Sequence, residues 1–284
     1  MSAVAPAAPT ASAPSPARRD GGGSSLTVAA QMFGADFLKL RRKRWLLWLS
    51  LFLTLGILLI IYVVVVIQHA SSPAEHGPAG GVKNFRDGLN VLALFFGPLA
   101  AILIGVEAGT GDASGGVFRD LVVTGRSRVA LFATRVPAAL AFCWLVVLAG
   151  FVFLLIATFV FASSLPTPDT SLIFNSLGFA LLSTGVLCVI AVGLASLTTS
   201  RPGALATLIA WQIIASPLLA NISSLGSARK GILSQAIAHF SPVSAEGRHG
   251  ATVTMSQGTA LLVLVVWVAV FLALGAWRTR TMDS

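Results

Sequence analysis

Long uninterrupted apolar runs, separated by short polar connections, set the pattern of this 284-residue chain. Six runs approach or exceed the roughly 20 apolar residues that a helix needs to cross the hydrocarbon core of a bilayer. The runs are continuous rather than alternating, which favours helices over the strands of a membrane barrel. The sequence therefore predicts an all-α protein with six membrane-spanning helices, none of which contains Asp, Glu, Lys or Arg. The predicted spans are Trp45–Ile67, Leu89–Val106, Val136–Phe161, Leu172–Thr198, Ala204–Ile222 and Ala260–Trp277.

A helix of a different kind is predicted before the first span, over residues 26–44. Apolar side chains recur at spacings of three and four from Leu26 to Leu40, and Asp36 and Lys39 follow the same period on another face. Such a helix is expected to lie in the membrane interface with its apolar stripe in lipid. A plain basic anchor for the first span is a second interpretation, and the two are compatible. The residues expected among the headgroups are Arg41, Arg42, Lys43, Arg44, Trp45 and Trp48.

The charge distribution predicts how these spans are oriented. The chain is 56% hydrophobic and 10% charged with a mean hydropathy of +0.87, whereas soluble domains carry about 25% charged residues. The net charge is +9, because 19 Lys and Arg oppose 10 Asp and Glu. Placing both termini in the cytoplasm puts most basic residues on the cytoplasmic side, as the positive-inside rule requires. We therefore interpret the charge as a topology signal and expect no nucleic-acid partner. The basic residues left outside are Lys83, Arg86, Arg229, Lys230 and Arg248.

The segments outside the spans differ in character. Residues 1–25 are rich in Ala, Pro, Ser and Gly and lack an apolar core, so we expect a disordered cytoplasmic tail rather than a signal peptide. Residues 26–284 are expected to form one transmembrane domain. The longest outer loop, 221–257, contains an apolar stripe at Ile232–Phe240 that predicts a short helix at the outer membrane face.

Signatures of catalysis and metal binding are missing from the sequence. There is no glycine-rich loop ending in Lys-Ser or Lys-Thr, so the chain is not expected to bind ATP through a phosphate-binding loop. The histidines do not have the spacing of a standard metal site. We therefore assign no catalytic residue, no metal site and no cofactor to the chain itself. Carriers driven by protons or sodium usually place an ionisable residue within the membrane, and none is predicted here.

The most polar side chains within the predicted spans are the candidates for a substrate pathway. Gln212 lies on the fifth span and Asn175 on the fourth. Gln212 either lines a pathway or joins two helices by a hydrogen bond. Spans without charge favour a hydrophobic, lipid-like or amphiphilic cargo. A polymer or a small ion is also compatible, because hydroxyl and backbone groups can line a pathway.

The longest polar interruption on the predicted cytoplasmic side is the segment from Gly111 to Arg135. Asp112 is a suitable N-terminal cap for a short helix, which ends before Arg126 and Arg128. The segment is interpreted either as an amphipathic helix that docks a partner or as a basic loop without one. The apolar stripe of the helix consists of Val117, Phe118, Leu121 and Val122.

This segment also carries a family resemblance. Its pattern resembles that of the permease subunits of ABC-2-type transporters, which read Gly-Glu-x-x-x-Gly-Thr-x-Arg, a Leu, a Ser-Arg pair and a Lys between the second and third of six spans. The plan of an amphipathic N-terminal helix, six spans and a long outer loop is similar too, as is Ser241-Pro242 before the last span. Asp112 and Arg135 keep the charge of the family's Glu and Lys, whereas Val117 lacks the hydroxyl of its Thr. The matching residues here are Gly111, Asp112, Gly116, Arg119, Leu121, Ser127, Arg128 and Arg135.

The resemblance implies a multi-pass permease subunit of an ABC exporter in a bacterial inner or plasma membrane. The segment would then be a coupling helix that docks on a separate ATPase subunit. That subunit would bind and hydrolyse ATP, so the chain itself would be no enzyme. A second permease subunit, identical or related, would complete the pathway within membrane lipid. The residues implied in ATPase docking are Asp112, Gly116, Phe118 and Arg119, with Arg126 and Arg128 as electrostatic support.

Two other classes of function stay open at the level of the sequence. One is a self-sufficient channel or secondary carrier, which transport by the purified chain without ATP would indicate. The other is a non-transporting membrane scaffold or sensor subunit, which would not confer substrate-stimulated ATPase activity on an assembled complex.

Overall fold

The computed structural model describes residues 25–114, 128–198, 200–243 and 253–281, and within these ranges it is helical, without a strand. Six helices are long and apolar enough to cross a membrane, as expected for a multi-pass membrane protein. A helix α1 (Ser25–Arg42) precedes them, and a short helix α7 (Leu233–His239) lies between the fifth and the sixth. The candidate spans are α2 (Arg44–Ser71), α3 (Gly81–Gly111), α4 (Val129–Val160), α5 (Thr170–Thr198), α6 (Arg201–Asn221) and α8 (Gln257–Thr281).

The six predicted spans are confirmed as six helices, and α3 differs most from its predicted extent. It begins at Gly81 and continues past Val106, its last turn reaching Ser114. The prediction that no span contains an ionisable residue is therefore wrong, because Glu107 is buried within α3. Cations on other helices compensate this carboxylate, so the helix need not end where the apolar run ends.

Helix α1 packs along α4 and is part of the bundle. A break at Lys43, where the backbone is not helical (φ −77°, ψ 85°), separates α1 from α2. Phe37 meets Phe142 of α4 edge to face, with 6.1 Å between ring centroids. Asp36, on the polar face of α1, accepts a hydrogen bond from the hydroxyl of Thr134 in α4 (3.1 Å). Protein contacts as well as any lipid contacts therefore hold α1 in place.

The most extensive contact between two helices joins α3 to α5. Gly105 and Gly109 of α3 face Ala191 and Ala195 of α5, and a Cβ added at Gly105 would lie 2.5 Å from the carbonyl oxygen of Cys188. Small residues at such positions let helix backbones approach closely within a membrane. Accordingly, 72% of the most apolar stretch of α5 is buried in the bundle, against 22% or less for α2, α6 and α8. The bundle is thus built around α5.

The end of the bundle away from α1 is covered by the segment between α6 and α8. A 3₁₀ segment, Ser223–Gly231, leads into α7, which buries its apolar face against the spans. Trp267 of α8 donates a hydrogen bond to the carbonyl of Gly231 (3.0 Å), which holds the end of the 3₁₀ segment against α8. Lys83 and Arg86, expected in a loop at this end, belong instead to the first turns of α3.

Candidate functional site

A cavity of about 400 Å³ opens among α3, α5, α6 and α7, in the half of the bundle away from α1. Pockets for small organic ligands are commonly about 300–1,000 Å³. Leu94 and Leu99 of α3 and Leu187 of α5 form apolar parts of the wall, and Gln212 of α6 is one of its polar groups. The cavity therefore has the size and the mixed lining of a ligand site.

Both α3 and α6 form a π-helical turn where they line this cavity. The turns are Val91–Phe96 in α3 and Trp211–Ala215 in α6. Phe95 from the first and Gln212 and Ile213 from the second contribute to the cavity wall. Single π turns within α-helices occur frequently at functional sites. Because both π turns line the same cavity, this half of the bundle is the better candidate for a functional site.

Hydrogen-bonding groups are distributed around the wall. Ser183 of α5 donates to the carbonyl oxygen of Ala93 in the π turn of α3 (2.6 Å), and the hydroxyls of Ser216 and Ser234 lie 2.5 Å apart. The Oδ1 atom of Asn90 is buried and accepts no hydrogen bond from a described residue. A buried unsatisfied acceptor costs about 1–3 kcal/mol. Asn90 is therefore a cavity-lining residue with a buried acceptor that no described residue satisfies, and a ligand donor that reached it would relieve this cost.

Among the described residues that line the cavity there is no Asp, Glu, Lys, Arg or His. An ion entering it would lose its hydration without meeting an opposite charge, which is strongly unfavourable. The wall therefore suits an uncharged molecule with an apolar body and at least one hydroxyl or amide donor.

The structure separates the two side chains predicted to line a pathway. Gln212 lines the cavity, whereas Asn175 is exposed near the start of α5 and is not part of the wall. Sequence reasoning misses Asn90, which directly follows Leu89 at the edge of the predicted second span. An amide at the edge of an apolar run carries no signal of what it faces.

A cluster of charges joins three helices at the other end of the bundle, beside α1. Lys43 donates a hydrogen bond to the buried carboxylate of Glu107 in α3. The second carboxylate oxygen lies 3.1 Å from Nε of Arg201 in α6, as an ion pair without the alignment of a hydrogen bond. The Arg201 guanidinium also lies over the ring of Trp45, 4.3 Å from its centroid. One buried carboxylate therefore ties the start of α2 and the start of α6 to α3.

The local sequence places Arg201 where this contact needs it. Ser200 caps α6, its hydroxyl oxygen accepting a hydrogen bond from the backbone N–H of Gly203 (3.4 Å). Pro202 occupies the first turn, where its missing N–H costs nothing. Arg201 is thereby the first residue of α6 and faces Glu107 across the end of the bundle.

Glu107 is the second residue that sequence reasoning misses. It directly follows Val106, so a rule that ends a span at the first charged residue excludes it. The available signal was its position as the one acidic residue next to an apolar run at the predicted cytoplasmic, cation-rich end.

A smaller cavity of about 220 Å³ lies beside the charge cluster, between α1, α3 and α4. Asp36 of α1, Gly111 of α3 and Arg135 of α4 line it together with Glu107. Gly111 and Arg135 are the two ends of the polar segment identified in the sequence. Both ends therefore converge on α1 and on the charge cluster.

The predicted docking residues within that segment are largely outside the described residues. Asp112 lies in the last turn of the α3 helix, and Arg128 is the helical residue directly before Val129 of α4, with their side chains outside the described part as well. The structure thus gives the position of the two ends of the segment, and the docking residues stay predictions. Those wholly outside the described ranges are Gly116, Phe118, Arg119 and Arg126.

A comparison of the chain with protein-family models gives no match, and neither does a comparison with curated proteins. What the chain does is therefore inferred from its own fold, cavity and charges.

Proposed function

We propose that this chain is the permease subunit of an ABC exporter of the ABC-2 type and that it moves an uncharged amphiphile. The observation that carries the proposal is that α3 and α6 both line the cavity and are also joined to each other by an ion pair. These helices line the cavity in one half of the bundle, and in the other half the Glu107–Arg201 ion pair joins them. The same helix pair thus connects a ligand site with the end where the segment from Gly111 to Arg135 begins.

In this proposal a cytoplasmic ATPase docks on the segment between α3 and α4. ATP binding and hydrolysis in that partner move the segment and, with it, the end of α3. The ion pair of Glu107 with Arg201 passes the movement to α6. Because both helices line the cavity, a shift between them changes its opening, and the site alternates between the two sides of the membrane.

A second permease subunit, identical or related, completes the pathway in this proposal. Phe95 of α3 and Ile213 of α6 line the cavity and yet are 60% and 56% exposed. Leu218, further along α6, is 61% exposed. This exposed apolar rim around a cavity with hydrogen-bonding groups supports a partner surface, since a pathway for an amphiphile must be shielded from lipid on that side.

Reversal of one charge in the segment tests the docking step. Arg119→Glu is expected to lower co-purification of the ATPase subunit about tenfold or more, because it places a carboxylate where the partner is expected to meet a cation. Arg86→Glu is the matched control, since Arg86 is exposed at the opposite end of α3. Both variants are expected to enter the membrane and purify in the same yield. Equal ATPase recovery with Arg119→Glu and Arg86→Glu would contradict the docking assignment.

Reconstitution of the complex in liposomes then tests transport itself. We expect ATP-dependent movement of an uncharged amphiphilic dye, together with dye-stimulated ATP hydrolysis. Movement of the dye by the purified chain without ATP would identify a carrier and overturn the proposal. Unstimulated ATPase activity without movement of the dye would identify a scaffold, with the same consequence.

A further inference from the structure

A second groove, of about 320 Å³, lies on the surface of the bundle near α1 and is separate from the cavity of about 400 Å³. Leu47 and Leu51 of α2 form one side of it, and Phe142 and Leu145 of α4 form the other. Each pair spans one helical turn, so the apolar floor extends for about 6 Å along the bundle. Leu145 is 55% exposed, which leaves the groove open to the surroundings.

The position of this groove determines what fills it. Its walls are the first turns of α2 and part of α4, both long and apolar enough to span a membrane. A groove open to the bilayer at this depth is filled by lipid hydrocarbon rather than by water. An acyl chain that moves from the bilayer into the groove gains little free energy from the hydrophobic effect, because lipid tails are as apolar as the leucines of the wall. Selection of a particular lipid must therefore come from its headgroup.

A single charged side chain, Arg41, stands at the groove among the described residues that line it. Arg41 is exposed in α1, and its guanidinium has no hydrogen bond or ion pair with a described residue. Two other cations nearby, Lys43 and Arg201, are already engaged by Glu107. Of the exposed arginines in this region, Arg41 is the one that lines the groove, so its guanidinium can meet the headgroup of a lipid whose acyl chain lies there.

The packing of α1 fixes Arg41 in this position. Phe37, one turn before it, stacks edge to face on Phe142, with 6.1 Å between the ring centroids, and both rings line the groove. The same ring pair therefore forms part of the groove wall and holds the helix that carries the guanidinium against α4.

We infer that this groove binds one anionic phospholipid of the leaflet at the α1 end. The upper part of an acyl chain lies between α2 and α4, and the phosphate pairs with the Arg41 guanidinium. A guanidinium is suited to this role because its planar fork of donors matches the oxygens of a phosphate. The lipid would bridge α1 to α2 and α4 and so hold α1 against the bundle. This inference is independent of the proposed transport function.

Lipid retention by the purified full-length chain tests the inference. The protein is extracted in a mild detergent and incubated with equal amounts of phosphatidylglycerol and phosphatidylcholine. Native mass spectrometry then identifies the lipids that stay bound to it. The wild type is expected to keep one phosphatidylglycerol. Arg41→Gln is expected to reduce that retention about tenfold, the effect of losing one charge-assisted hydrogen-bonded pair. Leu145→Trp, which fills the groove, is expected to reduce retention of phosphatidylglycerol as well.

Arg42→Gln is the matched control, because Arg42 is the adjacent, likewise exposed arginine that does not line the groove. It is expected to retain phosphatidylglycerol like the wild type. Equal loss in the Arg41 and Arg42 variants would show a general attraction to basic residues and overturn the site. Undiminished retention by Arg41→Gln would overturn it as well. The two glutamine variants change exposed residues, so the comparison holds even if Leu145→Trp fails to fold.

Discussion

At the scale of the residue, Glu107 shows where reasoning from the sequence stops. The apolar run that defines the second span ends at Val106, and a carboxylate alone would be too costly to bury. What makes burial acceptable is compensation by Lys43 and Arg201, which lie far away along the chain in α1's connection to α2 and in α6. No local sequence pattern predicts that these three side chains come into contact. The sequence therefore predicts the span but not its charged end.

Glu107→Gln is expected to loosen the α1 end of the bundle. The change removes both ion pairs, while Lys43 and Arg201 are only partly buried and can turn toward water or headgroups. We therefore expect a loss of about 2 kcal/mol, which lowers the apparent melting temperature by roughly 5 °C. Thermal unfolding of the detergent-purified protein measures it. Glu75→Gln, which makes the same change at an exposed carboxylate, is the control. Indistinguishable melting of the two variants would mean that the cluster adds no stability.

At the scale of the element, hydrophobic runs predict that helices exist but not which of their faces meet. Six apolar runs predict six helices long and apolar enough to cross a membrane, and the structure contains six such helices. The runs are apolar on all sides, however, so they give no periodicity from which to read an inward face. The α3–α5 contact depends on Gly105 and Gly109, and the π turns of α3 and α6 depend on tertiary packing. The Gly105-x-x-x-Gly109 spacing is a sequence signature of close helix packing in membranes but does not identify the partner helix, and the π turns have no signature in an apolar run.

Gly105→Val is expected to separate α3 from α5. A Cβ at this position would lie 2.5 Å from the Cys188 carbonyl oxygen and 2.6 Å from the Cβ of Ala191, both on a rigid neighbouring helix. Overpacking of this kind costs about 1–3 kcal/mol or more, so the apparent melting temperature should fall by roughly 5–10 °C. Gly178→Val on α5 is the matched control, because no atom lies within 4 Å of a Cβ added there. A similar melting temperature for both variants would argue against the close contact.

At the scale of the whole molecule, the two sites lie at opposite ends of one helix pair. The cavity belongs to the half that α7 covers, and the charge cluster belongs to the half that α1 covers. The sequence indicates part of each site: Gln212 in the first and the ends of the polar segment, Gly111 and Arg135, beside the second. It does not indicate that α3 and α6 connect them. That connection is what makes transport, rather than a static membrane anchor, the function we propose.

The most direct test of this proposal is a substitution of Asn90, whose buried acceptor in the cavity wall has no partner among the described residues. Asn90→Leu keeps the size of the side chain and removes the amide, so a ligand that donates a hydrogen bond loses its partner. We expect ATP-dependent uptake of an amphiphilic dye bearing a hydroxyl to fall about tenfold in reconstituted liposomes, the equivalent of one lost hydrogen bond to a buried group. Uptake of the same dye with its hydroxyl methylated should change little, because it has no donor to offer.

Asn175→Leu provides the control for this experiment, since it removes the same amide from an exposed position outside the cavity wall. It should leave uptake of both dyes unchanged. If Asn175→Leu impairs uptake as much as Asn90→Leu does, the amide of Asn90 acts through general stability and the cavity is not the ligand site. Loss of uptake specific to Asn90 and to the hydroxyl-bearing dye would place the ligand between α3 and α6, on the two helices that Glu107 joins at their other end.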